Sequence, residues 1–393
     1  MNLGEVSLDY QTLIKLKDEL VGSLVAGTER RLKSTGVEIV KGRATLAGPK
    51  IVEVFKDDGD FETLRTQNII MATGSRPQEI DVPTDSSEGL IMAEEAIGLK
   101  KLPKSIAVVG CDYIGVQLGC IFSHLGTKVT IVESRTRLLP DEDEEIATIL
   151  QELLTAYGIK IITEARPVNI TATSEDEKRL TVADKSGTTE VRAEQVVISR
   201  GRKPNTEGLG LEKAGVMMED TGAIIVDEHL RTNVSNIYAV GDSVGKHMLA
   251  QVAMAEGNVA AENAMGRSST IDHKVIPRCI FTLPEAATVG LIERQAIERG
   301  YKVKVSRVPV ELNGFAHIVG QTEGLIKIVS DARYGEVLGV QIIGPQAADL
   351  IHEAALGIRL EATVEDMAKA IRIHPSLGEA VRDAAWRLYS PLL

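Results

Sequence analysis

Ala107-Val108-Val109-Gly110-Cys111-Asp112-Tyr113-Ile114-Gly115-Val116-Gln117-Leu118-Gly119 decides how this 393-residue chain is read. The run Ser105–Val109 leading into it reads as a strand, and Tyr113–Leu125 has helical spacing. Lys128–Glu133 returns as a second strand, and Glu133 stands eighteen residues after Gly115. A strand, a glycine turn, a helix and a strand closed by an acidic residue make the unit that seats an adenine dinucleotide. Gly110 would form the tight turn, and Gly115 would let helix and strand pack closely. The helix N-terminus would hold the pyrophosphate through backbone N–H groups. Glu133 would accept from the adenine ribose hydroxyls, and its charge repels a 2′-phosphate, which selects NAD over NADP. The turn departs from the pattern at Asp112, where a glycine normally lets backbone approach the pyrophosphate. A carboxylate there sets negative charge beside negative charge unless it rotates away. Two readings stay open: a working NAD site, and a Rossmann unit that has lost its affinity.

Residues 104–201 continue the alternation: a helix over Glu144–Tyr157, opened by the acidic run Asp141–Glu145, then strands Ile159–Ile162 and Gln195–Ser199 around hairpin-like segments. Such alternation predicts a parallel sheet with crossover helices. On the N-terminal side, Asp9–Thr35 alternates at helical spacing, with Leu13, Leu16, Leu20, Leu24 and Val25 on one side and Gly36 at its end. Short strand-like runs follow at Val37–Val40, Ala44–Ala47, Ile51–Phe55 and Asn68–Met71, the last running into Ala72-Thr73-Gly74-Ser75-Arg76-Pro77. Beyond residue 223, Asn236-Ile237-Tyr238-Ala239-Val240-Gly241-Asp242 is again a strand into a glycine turn, followed by a helix from Gln251 to Met265. From Val275 onward, strands (Lys302–Val308, Gly324–Val329, Glu336–Ile343) precede helices (Ala347–Leu360, Val364–Ala370, Leu377–Arg387), the order of an α+β domain.

The composition bounds the function. With 44 Lys+Arg against 56 Asp+Glu the net charge is −12, which argues against nucleic acid or anionic lipid as a partner. A hydrophobic content of 44% with 25% charged residues fits a globular enzyme of two or three domains. Met1–Tyr10 is polar and acidic, without a signal pattern. The most apolar stretch, Ile106–Gly126, carries Asp112, Gln117 and His124 and reads as strand, turn and helix, not as a membrane span. These features place the protein in the cytoplasm. The three cysteines, Cys111, Cys120 and Cys279, form no C-x2-C or C-x4-C pair and read as buried small side chains. The histidines form no ligand-like cluster, so no metal is expected.

Four features occur in fixed order: Ala72-Thr73-Gly74-Ser75-Arg76-Pro77, the turn at Gly110, Tyr238-Ala239-Val240-Gly241-Asp242, and His374-Pro375-Ser376-Leu377-Gly378-Glu379. Together they resemble the pyridine nucleotide–disulfide oxidoreductases, and dihydrolipoamide dehydrogenase most closely. The resemblance implies an α/β fold with Rossmann-like FAD and NAD domains, the FAD domain incomplete, and a C-terminal α+β dimerisation domain. It implies that residues 1–103 are the remainder of the FAD-binding domain and 104–222 the NAD-binding domain. Residues 223–272 would be the return of the FAD-binding domain and 273–393 the dimerisation domain. Asp242 would hydrogen-bond the ribitol chain of FAD, with Met248, Leu249 and Ala250 beside the flavin. Gly74, Gly201 and Gly241 would be turn glycines of the cofactor sites, and Gln117 would stand at the flavin–NAD junction. His374 would be the acid–base serving the partner subunit's active site, and Glu379 would orient it.

The same resemblance exposes departures. The family opens with a G-x-G-x-x-G turn for FAD and a helix bearing C-x4-C, and neither occurs here. The family usually has glutamate where this chain has Gln117. Two explanations remain, truncation and drift away from full catalysis. The expected function is electron transfer from a dithiol through FAD to NAD, by a homodimer that could serve a 2-oxoacid dehydrogenase complex through its lipoyl domains, this chain being inactive alone. The alternatives are a non-catalytic dimeric scaffold of the same family, or a mercuric reductase or soluble transhydrogenase. Mercuric reductases end in a cysteine pair, and Ser390-Pro391-Leu392-Leu393 has none.

Overall fold

A computed structural model describes residues 7–79, 82–85, 89–173 and 177–390, which leaves Pro391-Leu392-Leu393 outside the described residues. The chain forms two compact units, each built from two stretches of sequence.

The first unit combines Met1–Gln78 with Gly201–Asp272. It opens with the helix Tyr10–Ser34, whose N-cap Asp9 accepts the Thr12 N–H at 3.0 Å. No residue of this helix is buried, so its apolar side (Leu16, Leu20, Leu24) stands in solvent. The strands Arg43–Gly48, Ile51–Phe55 and Phe61–Arg65 form an antiparallel sheet. Val37–Val40 is not a strand. Val37 and Ile39 are exposed, and an apolar run that buries neither face has nothing to hold it extended. Phe61–Arg65, whose alternation is weak, is held by pairing with Ile51–Phe55 and by the Phe55–Phe61 ring contact at 5.0 Å. Ile69–Met71 pairs in parallel with Ile237–Ala239, so two turns 167 residues apart leave one short sheet at the same end. Leu46, Ile69, Met71, Leu211, Ile224 and Ile237 form the core beneath.

The second unit combines Glu79–Arg200 with His273–Leu393. Its five-stranded parallel sheet runs Leu90–Met92, Gln195–Ile198, Ser105–Val109, Lys128–Val132, Lys160–Ile162. The strand Leu90–Met92 thus belongs to this sheet, and residues 201–222 belong to the first unit. All five residues of Ser105–Val109 are buried, as a central parallel strand requires. Ile106, Val108, Ile131, Leu150, Leu154 and Phe122 fill the core against it. Burying such a side chain fully stabilises the fold by about 1.5–3 kcal/mol. A second, antiparallel sheet of five strands runs Arg278–Ile280, Glu285–Gly290, Val337–Gly344, Leu325–Asp331, Val303–Pro309. The helices Ala347–Arg359 and Gly378–Tyr389 cover it with Ile351, Ala354, Val381 and Ala384. No helix among the described residues is long and apolar enough to cross a membrane.

Candidate functional site

The Gly110 turn lies at the C-terminal end of the parallel sheet, where ligands of open α/β sheets bind. Gly110 has φ +99°, and a Cβ there would stand 1.9 Å from the Ser199 carbonyl oxygen, so only glycine fits. Gly115 packs as expected: its Cβ would meet the Gly110 carbonyl at 2.7 Å and Ser199 Cβ at 2.9 Å.

Glu133 reaches back to the turn. Its Oε2 accepts the Cys111 N–H at 3.0 Å, and its Oε1 accepts from Ser134 Oγ (3.1 Å), Arg135 N (2.8 Å) and Arg135 Nε (3.3 Å). Burial, at 4% exposure, pushes this carboxyl up. The contacts from Cys111, Arg135 and Ser134 outweigh that and hold it below the usual range. Asp112 does not rotate away. As N-cap of the helix Tyr113–His124, its Oδ1 accepts the Gly115 N–H at 2.8 Å and the Ser199 hydroxyl at 2.5 Å.

Gln117 lies on the same helix but points elsewhere: its Oε1 accepts the Phe281 N–H at 2.8 Å, from the loop after Arg278–Ile280. Of the residues assigned to this dinucleotide seat, Gly110, Gly115 and Glu133 therefore meet at one turn, and Gln117 bonds to another segment of the unit.

In the first unit, Gly74 (φ +70°) and Gly241 (φ +66°) follow the two paired strands. Nothing lies within 4 Å of where a Gly74 Cβ would stand. Asp242 Oδ2 accepts the Ser75 hydroxyl at 2.5 Å, and Arg202 Nε, at 4.0 Å, also donates to Ser75 Oγ at 2.6 Å. Gly201 stands at the end of the antiparallel pair Ser75–Pro77 and Arg202–Pro204, its carbonyl accepting the Gln78 N–H at 3.0 Å. Met248 and Leu249 are half-buried and lead into the helix Ala250–Ala264, with Leu249 as N-cap and Ala250 exposed. The buried Glu256 of that helix accepts the Gly241 N–H at 2.6 Å.

The third group is His374 and Glu379. The Glu379 carboxylate stands 3.0 and 3.1 Å from His374 Nδ1 and accepts the Ser376 N–H at 3.0 Å. The Ser376 N–H first, then the imidazole, keep its carboxyl below the usual carboxylate range. The imidazole itself is open, at 82% exposure.

Sequence reasoning did not find Ser199, Ser75, Arg202 or Glu256 as supports of these turns. Ser199 ends a predicted strand and Ser75 sits in a quoted motif, but only the fold brings each to its carboxylate. None of the three cysteines is an activated thiol. Cys111 and Cys120 are buried and Cys279 half-buried. Burial pushes Cys111 and Cys279 up to about 12, and raises Cys120 as well. Among the described residues no three His, Cys, Asp or Glu side chains group as a metal site.

Comparison with known proteins fixes what these turns belong to. Residues 3–257 match the model of the pyridine nucleotide-disulphide oxidoreductases, and residues 276–385 match the dimerisation domain of that family. The chain belongs to the pyridine nucleotide-disulphide oxidoreductase family. It is 38% identical to dihydrolipoyl dehydrogenase of Geobacillus stearothermophilus, over 97% of this chain and 80% of that one. It is 36% identical to dihydrolipoyl dehydrogenase 2 of Haloarcula marismortui, over 97% of this chain and 81% of that one. Among solved structures it resembles LpdA of Mycobacterium tuberculosis (27% identity, TM-score 0.89, 98% of this chain, 84% of that one). It also resembles the HOCl-induced flavoprotein disulfide reductase RclA of Escherichia coli (25% identity, TM-score 0.89, 96% of this chain, 86% of that one). The chain is thus a dihydrolipoyl dehydrogenase-like member of the pyridine nucleotide-disulphide oxidoreductases, of mixed α/β fold with a C-terminal dimerisation domain.

Members of this family use FAD and NAD, and the residues can be tested for fit. The bare backbone at Gly74 and the half-buried Asp242 carboxylate, held by Ser75, suit a chain of sugar hydroxyls. Gly110, Gly115 and Glu133 have the shape of a dinucleotide seat. Asp112 opposes an anion there.

Proposed function

We propose that this protein is a dihydrolipoyl dehydrogenase-type oxidoreductase, in which a dithiol gives up two electrons and two protons and NAD takes a hydride. The observation that carries this reading is the His374–Glu379 pair: an exposed imidazole held through Nδ1 by a carboxylate 3.0 Å away. With Nδ1 donating to Glu379, Nε2 presents a lone pair that takes a thiol proton and later returns it. Asp242, braced by Ser75, would accept from the ribityl hydroxyls of FAD, with Gly74, Gly201, Gly241, Met248, Leu249 and Ala250 forming the surrounding contacts. Gly110, Gly115 and Glu133 would hold NAD, with Gln117 on the same helix. When bound, FAD relays the electron pair between the dithiol side and NAD. On this reading the first unit is the flavin-domain portion, residues 79–200 the NAD-binding fold, and residues 273–393 the dimerisation domain.

Two copies would pair through that last domain. Ile371 and Ile373, 98% and 81% exposed, precede His374 in sequence and offer the apolar area such pairing buries. The dihydrolipoyl dehydrogenase relatives support a protein that serves a 2-oxoacid dehydrogenase complex.

A second reading has specific support. Asp112 and Gln117 depart from the family pattern, which fits a dimeric scaffold without catalysis. The test is a visible absorption spectrum of the purified protein, followed by anaerobic addition of dihydrolipoamide and then NAD. Bleaching of a bound flavin by the dithiol and its recovery with NADH formation support the enzyme. A colourless dimer that forms no NADH supports the scaffold.

A further inference from the structure

We propose that Asp112 is the affinity-setting residue of the dinucleotide seat: its carboxylate occupies the start of the helix Tyr113–His124 and holds NAD binding weak. This inference rests on the reading of the Gly110 turn as an NAD seat.

Two amides of the turn are already taken by carboxylates. The Gly115 N–H, in the first turn of the helix, donates to Asp112 Oδ1 at 2.8 Å. The Cys111 N–H, on the other side of the turn, donates to Glu133 at 3.0 Å. A pyrophosphate binds a helix N-terminus because unpaired amides and the positive end of the helix dipole meet it there. Here a fixed carboxylate already takes one of those amides and offsets the dipole. It is also locked in place, since the hydroxyl of Ser199, itself 3% exposed, donates to the same oxygen at 2.5 Å. Ser199 in turn cannot withdraw, because its main chain and Cβ pack directly against Gly110 and Gly115.

The glycine that the fingerprint expects at this position would leave the helix start open. Aspartate instead confronts the incoming diphosphate with a charge of its own sign. A dinucleotide must either displace the carboxylate from the Gly115 and Ser199 donors or bind beside it. Each option weakens binding, and the second is relieved by salt.

Isothermal titration of NADH into the purified chain tests this with D112N, D112G and S199A beside the wild type. D112N is the central variant, because an amide oxygen still caps the helix while the charge is gone. D112N is expected to bind NADH at least about tenfold more tightly than wild type at low salt, with the gap narrowing at high salt. D112G is expected to tighten binding as well, and S199A to tighten it less, by freeing the carboxylate to swing out. If D112N keeps the wild-type melting temperature and binds NADH equally or more weakly, Asp112 is not the affinity-setting residue and this inference is overturned. If neither the wild type nor any variant binds NADH, the dinucleotide reading fails and the inference falls with it, so the two failures are told apart.

Discussion

Glu133, at the end of Lys128–Val132, accepts the Cys111 N–H at 3.0 Å, which ties the acidic end of one strand to the glycine turn of its neighbour. The contact makes Glu133 a structural residue before any ligand arrives, because its buried carboxylate accepts from Cys111, Ser134 and Arg135. E133A leaves the N–H of the buried Cys111 without its charged acceptor. It is expected to destabilise the chain by about 3 kcal/mol, in line with buried polar groups that lose a charged partner. Urea unfolding measures this. An unchanged midpoint would show that water replaces the carboxylate at no cost.

The turn also separates two reasons for glycine. Gly110 combines φ +99° with a Cβ position 1.9 Å from the Ser199 oxygen, whereas Gly126 has φ +92° and open space around it. G126A should cost only the left-handed strain, about 1–2 kcal/mol. G110A should add a main-chain clash and cost at least about 3 kcal/mol. Thermal melts of the two variants give the ranking. Equal losses would mean that the sheet ends yield to accommodate a methyl group.

Ile371 and Ile373 supply a prediction about assembly. Both are apolar and nearly fully exposed in the single chain, in a domain that the family uses to dimerise. I371D/I373D is expected to convert a dimer to a monomer in light scattering, with the far-ultraviolet circular dichroism unchanged. A dimer that survives both charges must pair through another surface.

A cation in the dimerisation domain sets the acid stability of the second unit. Lys327 is 3% exposed, and its Nζ contacts Asp143 at 2.9 Å, Glu145 at 2.5 Å and Glu293 at 2.9 Å. Hydrogen bonds from Arg307 first, then from Lys327 against the opposing effect of burial, hold the Glu145 carboxyl down at about 2. A depressed carboxylate contributes stability above its ordinary pKa of 4.5 and loses it as pH falls through the folded value. The Glu145 contribution should therefore persist to pH about 4 and fail progressively toward pH 2. K327M leaves three carboxylates without their shared cation. It should cost about 3–5 kcal/mol, as breaking one partner of a buried pair does. It should also move acid unfolding to higher pH, read by circular dichroism across a pH series.

The strands and helix around Gly110 were legible because buried apolar runs and a glycine turn are local signals, and Ser105–Val109 and Tyr113–His124 follow them closely. The strand expected at Val37–Val40 failed because apolar alternation does not tell a buried face from an exposed one. What was legible of the candidate site were its turn glycines and carboxylates: Gly110, Glu133, Asp242 and the His374–Glu379 pair. Their supports were not. Ser199 reaches Asp112 from 87 residues away, Ser75 reaches Asp242 from 167, and Lys327 meets Asp143 from 184. Such contacts come from sheet order, which no local pattern encodes. The sequence left open whether Asp112 rotates away from the turn, and its bonds to the Gly115 N–H and the Ser199 hydroxyl hold it there.

The His374–Glu379 contact makes the last prediction, and it can be checked without turnover. A carboxylate at 3.0 Å from Nδ1 fixes the proton on that nitrogen and leaves Nε2 as the base. Ser376 and then His374 keep Glu379 below its ordinary pKa of 4.5, so the carboxylate stays charged as pH falls through the ordinary range and the contact survives mild acid. In E379Q the amide can donate or accept, and the imposed tautomer is lost. Nitrogen-15 shifts of the His374 ring should show one dominant tautomer in the wild type and a mixture in E379Q. In the assembled enzyme, H374A should lower dithiol oxidation by about 10²–10⁴-fold, the usual range for losing a general base, and E379Q by less. Flavin content should not change in either variant. Identical ring shifts in wild type and E379Q would mean that the carboxylate only anchors the Ser376 turn, and would leave His374 without an orienting partner.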